Sequence, residues 1–352
     1  MQPIGSKLII LINHSMNEET MVSTILIICL LITFIISFLL IVWWIPQAKR
    51  AGLVGKDMHK IEERFVAEIG GFPVLIGFLF GALLFVGIRT FFFQDASFLL
   101  EILAVCATLL LIGLIGFIDD LLGWKIGLRQ WQKPLLCFVA ALPMMMINSG
   151  VSTMDIPGVG MIQLGLLYPL LIIPLAISAA ANGFNMIAGY NGLEAGMGVL
   201  ILGTLGFIVW FDQRLGMVAM IAGLMVVALL AFLMLNWTPA KIFPGDALTY
   251  PVGALIAIIA ILGNAEKAAL LLFLLYIAEF FLKARGGWRK ESFAHVEKDG
   301  TLEVPYAKIY GVEHLALKIQ KSVYGYATEK MTVIVIFGMQ VLICLVTAIL
   351  FL

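Results

Sequence analysis

The chain has 352 residues, 62% of them hydrophobic and 12% charged, with zero formal net charge and a mean hydropathy of +1.07. A soluble domain carries about 25% charged residues, so this composition excludes a water-solvated globule, and the neutral balance excludes nucleic acid as the principal partner. Cys29, Cys106, Cys137 and Cys344 lie inside apolar runs and are expected to pack as small hydrophobes, with no disulfide framework or zinc pattern.

The first 20 residues are polar and hold Lys7, Glu18 and Glu19. They do not read as a signal peptide, because the apolar run that follows is too long for an h-region and has no small-residue cleavage site. A spanning helix needs about 20 mostly apolar residues. That rule predicts spans over 21–45, 69–91, 98–118, 134–149, 165–183, 194–211, 217–236, 246–263, 267–284 and 331–352. The expected fold is therefore all-α, one polytopic membrane domain over 1–352 with about ten transmembrane helices. Pro143, Pro169 and Pro174 fall within spans, which membrane helices tolerate where neighbours satisfy the freed carbonyls. Alternating loops place 18 of the 22 basic residues on one face, in segments 46–68, 119–133, 237–245 and 283–330. The positive-inside rule makes that face cytoplasmic. Lys7, Arg89, Arg214 and Lys267 belong to the other face, with both termini. In the long loop 285–330, Ile309, Val312, Leu315, Leu317 and Ile319 alternate with lysines, predicting either an interfacial amphipathic helix over 306–321 or a solvated basic loop.

Ionisable groups at membrane depth are costly and are functional candidates by default. Four features gather at helix ends on the basic face. Asp119 and Asp120 close the third span. Adjacent helical residues point about 100° apart, so the pair is poorly placed to chelate one ion, although mutual repulsion favours one of them as a base. Segment 182–194 holds Asn182, Asn185 and Asn191 with Gly183, Gly189 and Gly192, a combination that permits close backbone approach and offers donors and acceptors. Asp246 opens the eighth span, either capping its helix or ligating a hard cation. Lys283, Arg285, Arg289 and Lys290, with His295 nearby, suit phosphate, or else anionic-lipid anchoring. Acids, amides and bases on one membrane face point to a metal-bridged diphosphate reacting with a membrane lipid.

The ordered motifs GFIDD (116–120), NGFNMIAGYNGLEAG (182–196) and PGDALTYPVGA (244–254) resemble the polyprenyl-phosphate N-acetylhexosamine-1-phosphate transferase family. The resemblance runs from Gly52 to about Lys308. NMIAGYNGLEAG (185–196), GLVGKD (52–57) with Lys60, and KDGTLEV (298–304) followed by Tyr306 are closest to the dolichol-type branch. Departures are Gly123, where some relatives carry a polar residue, and a last loop without the His-rich signature of the peptidoglycan enzymes.

The resemblance implies a ten-helix fold with a cytoplasmic-face active site. It implies Mg²⁺, with Mn²⁺ as a substitute, held by Asn185 and Asp246. Asp119 and Asp120 would stand by the lipid phosphate, one as base or orienting group, with Lys133 on phosphate. Asn191 would read the uracil edge, and Glu68 would belong to the nucleoside or sugar side. Arg285, Arg289, Lys290 and His295 are the candidates for the remaining substrate contacts. The expected reaction moves GlcNAc-1-phosphate from UDP-GlcNAc, a UDP-amino sugar, to a dolichyl-type polyprenyl phosphate, giving polyprenyl-diphosphate-GlcNAc and UMP. The family also implies a homodimer. The expected membrane is a prokaryotic cell membrane in preference to the endoplasmic reticulum. Alternatives are a bacterial-type undecaprenyl-phosphate enzyme using another UDP-sugar, a CDP-alcohol phosphotransferase, which would need a longer acid-rich signature, and a transporter, which would place its polar groups near the bilayer midplane.

Overall fold

A computed structural model describes residues 18–156, 160–211, 213 and 215–352. Lys7 and Arg214, assigned above to the less basic face, lie outside the described residues. The helices are α1 (Glu18–Arg50), α2 (Gly71–Phe92), α3 (Leu99–Ile126), α4 (Gln132–Ala140), α5 (Leu142–Met146), α6 (Ile173–Phe184), α7 (Leu193–Phe211), α8 (Gly216–Asn236), α9 (Asp246–Leu262), α10 (Glu266–Leu272), α11 (Leu274–Arg285), α12 (Val312–Tyr324) and α13 (Glu329–Phe351).

Among the described residues, six helices are long and apolar enough to cross a membrane: Thr24–Arg50 in α1, α2, Leu99–Gly123 in α3, α7, α8 and α13. On α1, Ile27, Leu31, Ile35 and Leu39 recur every four residues and are all more than half exposed. Such a continuous apolar stripe is stable only against lipid, and the protein is integral to a membrane.

The other four expected spans are shorter or interrupted. The 134–149 segment is α4 followed by α5, with Pro143 in the first turn of α5. The 165–183 segment is a π-helical turn, Tyr168–Ile172, running into α6. Pro169 and Pro174 lie there, and each removes a ladder donor. The 246–263 segment is α9, 17 residues long with Pro251 inside, and 267–284 breaks at Phe273 into α10 and α11.

The structure departs from an all-α fold in three antiparallel hairpins: β1 (Val54–Lys56) with β2 (Phe65–Ala67), β3 (Thr153–Ile156) with β4 (Gly160–Gln163), and β5 (His295–Val296) with β6 (Leu302–Glu303). All lie between the spanning helices, where a hairpin pairs its own backbone groups and water serves the edges, which hydrocarbon cannot do.

α9 is buried along its length from Ala247 to Ile261, packed mainly on α3 and α6 with α2, α7 and α8 around it. It is apolar on every side because it is covered on every side. Its first turn is fixed from outside. Phe243 N–H donates to Ala67 O at 2.7 Å, while Gly70 and Gly71 N–H donate to Phe243 O and Pro244 O, both at 2.9 Å. Gly116 of α3 is required there, since a Cβ would collide with the Asp246 carbonyl.

α3 continues past its expected end at 118 to Ile126, kinked at Gly123 (φ +67°). Asp119 and Asp120 therefore sit within the helix, about one turn before the kink. The amphipathic helix expected over 306–321 begins only at Val312; its buried side carries Val312, Ala316 and Leu317, but also Glu313, His314 and Gln320.

Candidate active site

The DD pair, the asparagine–glycine turn and the start of α9 converge. Lys133, at the start of α4, places its Nζ 2.6 Å from Asp119 Oδ2 and 3.0 Å from Asp246 Oδ2. One ammonium thus ties α3 to α9. Asn185, immediately after α6, donates its Nδ2 to Asp246 Oδ1 at 2.9 Å and accepts Thr249 Oγ1 at 2.9 Å. Asp246 does not cap its own helix. The cap comes from Asp120, whose carboxylate accepts the N–H groups of Asp246 (2.8 Å) and Ala247 (3.0 Å). Asp119 accepts Leu128 N–H at 2.5 Å, closing the kinked end of α3 onto itself. The two aspartates therefore differ in environment: Asp119 faces the lysine and Asp120 faces a helix N-terminus.

These groups border two adjoining cavities. One, of about 420 Å³, is lined by Asp119, Asp120, Lys133 and Gln130. The second, of about 260 Å³, is lined by Asn185, Tyr190, Asn191, Asp57 and Phe293. Glu68, Phe243, Gly245 and Asp246 border both and form the partition between them. Burial raises the Glu68 carboxyl above the usual carboxylate range. A separate apolar groove of about 440 Å³ runs between α6, α9 and α10–α11, with Gly183 and Met186 at its lining, next to Asn185 in sequence.

The turn between α6 and α7 is held by groups far away in the chain. Asn191 N–H donates to Glu329 Oε1 at 3.0 Å, its Nδ2 donates to Asp57 Oδ2 at 3.1 Å, and Gly192 N–H donates to Asn236 Oδ1 at 3.0 Å. Lys60 bonds Glu329 and stands 3.6 Å from Asp57. His59 stacks on Tyr190 with ring centroids 4.1 Å apart and accepts Ala294 N–H at 3.3 Å. Gly189 (φ +96°) leaves no room for a Cβ, which would lie 2.7 Å from the Phe293 ring. The backbone, rather than a side chain, lines the cavity there.

Of the eleven candidate residues named from sequence, the structure brings seven together: Asp119, Asp120, Lys133, Asn185, Asn191, Asp246 and Glu68 all border the two cavities. Arg285, Arg289, Lys290 and His295 line neither. Arg285 bonds Ile309 O and lies over the Tyr310 ring at 5.4 Å. Lys290 lies over Tyr306 at 4.7 Å, while Arg289 and His295 are exposed. The local tyrosines, about 15 to 25 residues on, engage two of these cations. Asp57, Thr249 and Phe293 line the second cavity, His59, Lys60 and Glu329 stand behind its lining, and none of the six was singled out from the sequence for a role. Glu329 carried the same signal as Asp246, an acid opening an apolar run. Among the described residues, no group of three or more His, Cys, Asp or Glu is arranged to hold a metal.

A family model described as glycosyl transferase family 4 matches residues 102–264, the stretch that contains the DD pair, Lys133, the asparagine–glycine turn and Asp246. A protein of Saccharolobus solfataricus, named a candidate UDP-N-acetylglucosamine–dolichyl-phosphate N-acetylglucosaminephosphotransferase, is 34% identical over 325 residues, covering 91% of this chain and 95% of its own. A protein of the same name from Sulfolobus acidocaldarius is 28% identical over 91% of this chain and 94% of its own. The phospho-N-acetylmuramoyl-pentapeptide-transferase of Streptococcus thermophilus is 32% identical over 70% of this chain and 74% of its own.

Proposed function

The chain belongs to glycosyl transferase family 4 and is a membrane sugar-phosphate transferase, and we propose that it moves GlcNAc-1-phosphate from UDP-GlcNAc to a dolichyl-type polyprenyl phosphate, releasing UMP. The observation that carries this reading is the position of Asp246 in the partition between two polar cavities, held by Lys133 on one side and Asn185 on the other. A diphosphate donor needs such a divided site. Its nucleoside lies in the cavity of Tyr190, Asn191 and Phe293, and the acceptor phosphate enters the cavity of Asp119 and Lys133. The apolar groove beside Met186 suits the acceptor's hydrocarbon chain.

An oxygen of the lipid phosphate attacks the sugar-bearing β-phosphorus of the donor. The bond from that phosphorus to the bridging oxygen breaks, UMP leaves, and the new bond makes a polyprenyl-diphosphate sugar. Asp119 receives or orients the acceptor's proton, Lys133 offsets phosphate charge, and Asp120 holds α9 in register. Asn185 and Asp246 stand together, the amide nitrogen on the carboxylate and the amide oxygen on Thr249 Oγ1; a carboxylate beside a carbonyl oxygen is a donor set that would suit Mg²⁺, which usually takes one or two protein carboxylates together with phosphate oxygens and water. When bound, the ion supplies charge neutralisation on the diphosphate. The ten apolar segments and their basic loops support a cytoplasmic-face site. A homodimer, Mn²⁺ as a substitute and a prokaryotic cell membrane belong to the same reading.

UMP release by the purified protein from UDP-GlcNAc, with and without dolichyl phosphate and Mg²⁺, tests it. Release that requires all three is expected. Release with undecaprenyl phosphate or another UDP-sugar instead would transfer the reading to the bacterial-type branch, to which the streptococcal relative lends weight. No release with any pair would overturn it.

A further inference from the structure

Behind the asparagine–glycine turn lies a second group of ionisable side chains, of which Glu194 also lines the cavity of Asn191. Glu279 of α11 and Glu313 and His314 of α12 are all 0% exposed, with Glu194 of α7 and Tyr276 of α11 nearly so. Their polar atoms are poorly matched. Glu313 Oε1 and Oε2, Glu279 Oε1, Glu194 Oε2, His314 Nε2 and the Tyr276 hydroxyl have no hydrogen-bond partner. The two glutamates face one another across Gly311, where a Cβ would lie 2.7 Å from Glu313 Oε2 and 3.2 Å from Glu279 Oε1.

Among the described residues Lys283 is the cation that bears on the two glutamates, and Lys318 bears on His314. Lys283 Nζ stands 3.4 Å from Glu279 Oε1, and Glu279 Oε2 accepts Val312 N–H at 2.6 Å, so of the two glutamates Glu279 is the one with partners for a carboxylate. His314 adds no charge, since burial and Lys283 hold its imidazole down to about pKa 4. Its Nδ1 is the acceptor for Tyr310 N–H at 3.3 Å. Tyr190, from the turn itself, also faces Glu313. Glu313 lies in the first turn of α12, where the helix dipole favours a carboxylate. Desolvation without a partner opposes this and is the larger effect for a fully buried acid.

We propose that Glu313 is held as a neutral carboxylic acid whose proton faces Glu279, and that this proton latches α12 and the 286–311 segment onto α11. Ionising Glu313 puts two like charges in one dry pocket, and the cheapest relief is to part α12 from α11. The turn carrying Asn185 and Asn191 then loses its backing. The latch is a pH-sensitive device in the scaffold and does not depend on which donor or acceptor the enzyme uses. Burial and the Glu279 charge, opposed by Lys283, push the Glu313 carboxyl up to about 8, consistent with the geometry.

The test uses the full-length protein in detergent. A buried neutral acid binds its proton in the folded state where the unfolded chain has released it. Stability therefore falls as pH rises from the ordinary carboxylate pKa to about 8 and levels off above. Wild-type melting temperature is expected to fall by several degrees between about pH 6.5 and about pH 8, above the range in which His314 titrates, with faster hydrogen exchange in 186–192 and 312–324 above it. Glu313→Gln, which imitates the neutral acid, should melt higher near pH 8 and lose that part of the slope. An infrared band of a protonated carboxyl that disappears between about pH 6 and about pH 9.5 in wild type should be missing from this variant. Glu279→Gln removes the charge that pushes the Glu313 carboxyl up, so the carboxyl band should disappear at lower pH than in wild type, with a smaller rise in exchange. A Glu313→Gln protein that fails to fold, or that keeps the full wild-type slope, would overturn the latch, as would an unmoved transition in Glu279→Gln.

Discussion

Asp120 grips the backbone of Asp246. Its two carboxylate oxygens take the first free N–H groups of α9, from Asp246 and Ala247, at 2.8 and 3.0 Å. One acid of the DD pair is thereby spent on aiming a residue 126 positions later in the chain. Gly245 (φ +69°) belongs to the same arrangement, because a Cβ at that position would strike the Asp120 carboxylate.

Asp120→Ala is accordingly expected to reduce both stability and turnover. A lost cap costs about 1–2 kcal/mol, and loss of an anion at a helix N-terminus about 0.3–1 kcal/mol more. Asp120→Asn keeps one acceptor oxygen and should lie between wild type and alanine in melting temperature. Wild-type melting in Asp120→Ala would contradict the capping role.

Lys133 has two carboxylates within 3.0 Å, both largely buried. Lys133→Met leaves those acids facing each other without a cation, which typically costs about 3–5 kcal/mol for a buried pair. Turnover should fall at least about 100-fold, the scale expected when a charge stabiliser at a reacting centre is removed. Lys133→Arg should not rescue it, because a planar fork does not replace a point charge between two acids. Steady-state rates of both variants, alongside melting curves, check this.

Asn185→Ala removes one of two proposed cation ligands and leaves Asp246 with Lys133. The Mg²⁺ concentration for half-maximal activity is expected to rise by about 10-fold or more, with chelator abolishing activity in wild type and variant alike. An unchanged Mg²⁺ requirement would remove Asn185 from the cation site.

Asn191 is bonded to Glu329 and Asp57 and lines the second cavity, proposed above for the nucleoside, whereas Asp119 and Lys133 line the first. Asn191→Ala should therefore raise KM for the UDP-sugar more than it lowers kcat, since uniform binding is what it removes. Glu329→Gln, which weakens the bond to Lys60, should act in the same direction and more weakly.

His314 contributes to the acid limb of stability. Its imidazole titrates near 4 in the folded protein, against about 6.5 in an unfolded chain, so the unfolded chain binds the proton first. Stability is then lost as pH falls from about 6.5 towards 4, on the order of 1–3 kcal/mol in all. His314→Gln should flatten the melting-temperature profile over that window.

Much of the site was legible in the amino acids. Acids and amides at the ends of apolar runs are costly unless used, which singled out Asp119, Asp120, Asn185 and Asp246 without any structure. Lys133 and Glu68 came from the resemblance, and the structure places both at the cavities. The basic cluster 285–295 failed to reach the site for a local reason, since Tyr306 and Tyr310 lie under Arg285 and Lys290. Aromatic stacking of that kind leaves no periodic trace in a sequence. The interruptions in the four shorter spans were likewise invisible to hydropathy, which counts apolar residues and does not register a π turn at Pro169 or a break at Phe273.

Composition, apolar run length and the asymmetry of lysine and arginine were enough to determine a membrane protein with its polar chemistry at helix ends, because transfer of charge into hydrocarbon is costly at any position. Only the tertiary structure decided how the acids divide their work. Asp119 meets Lys133, Asp120 caps a different helix, and Asp57, Lys60 and Glu329 converge behind Asn191 from the two ends of the chain. Charge–charge and hydrogen-bond energies depend on separations of a few ångströms, and those separations are set by packing between segments that, Asp119 and Lys133 aside, lie more than a hundred residues apart.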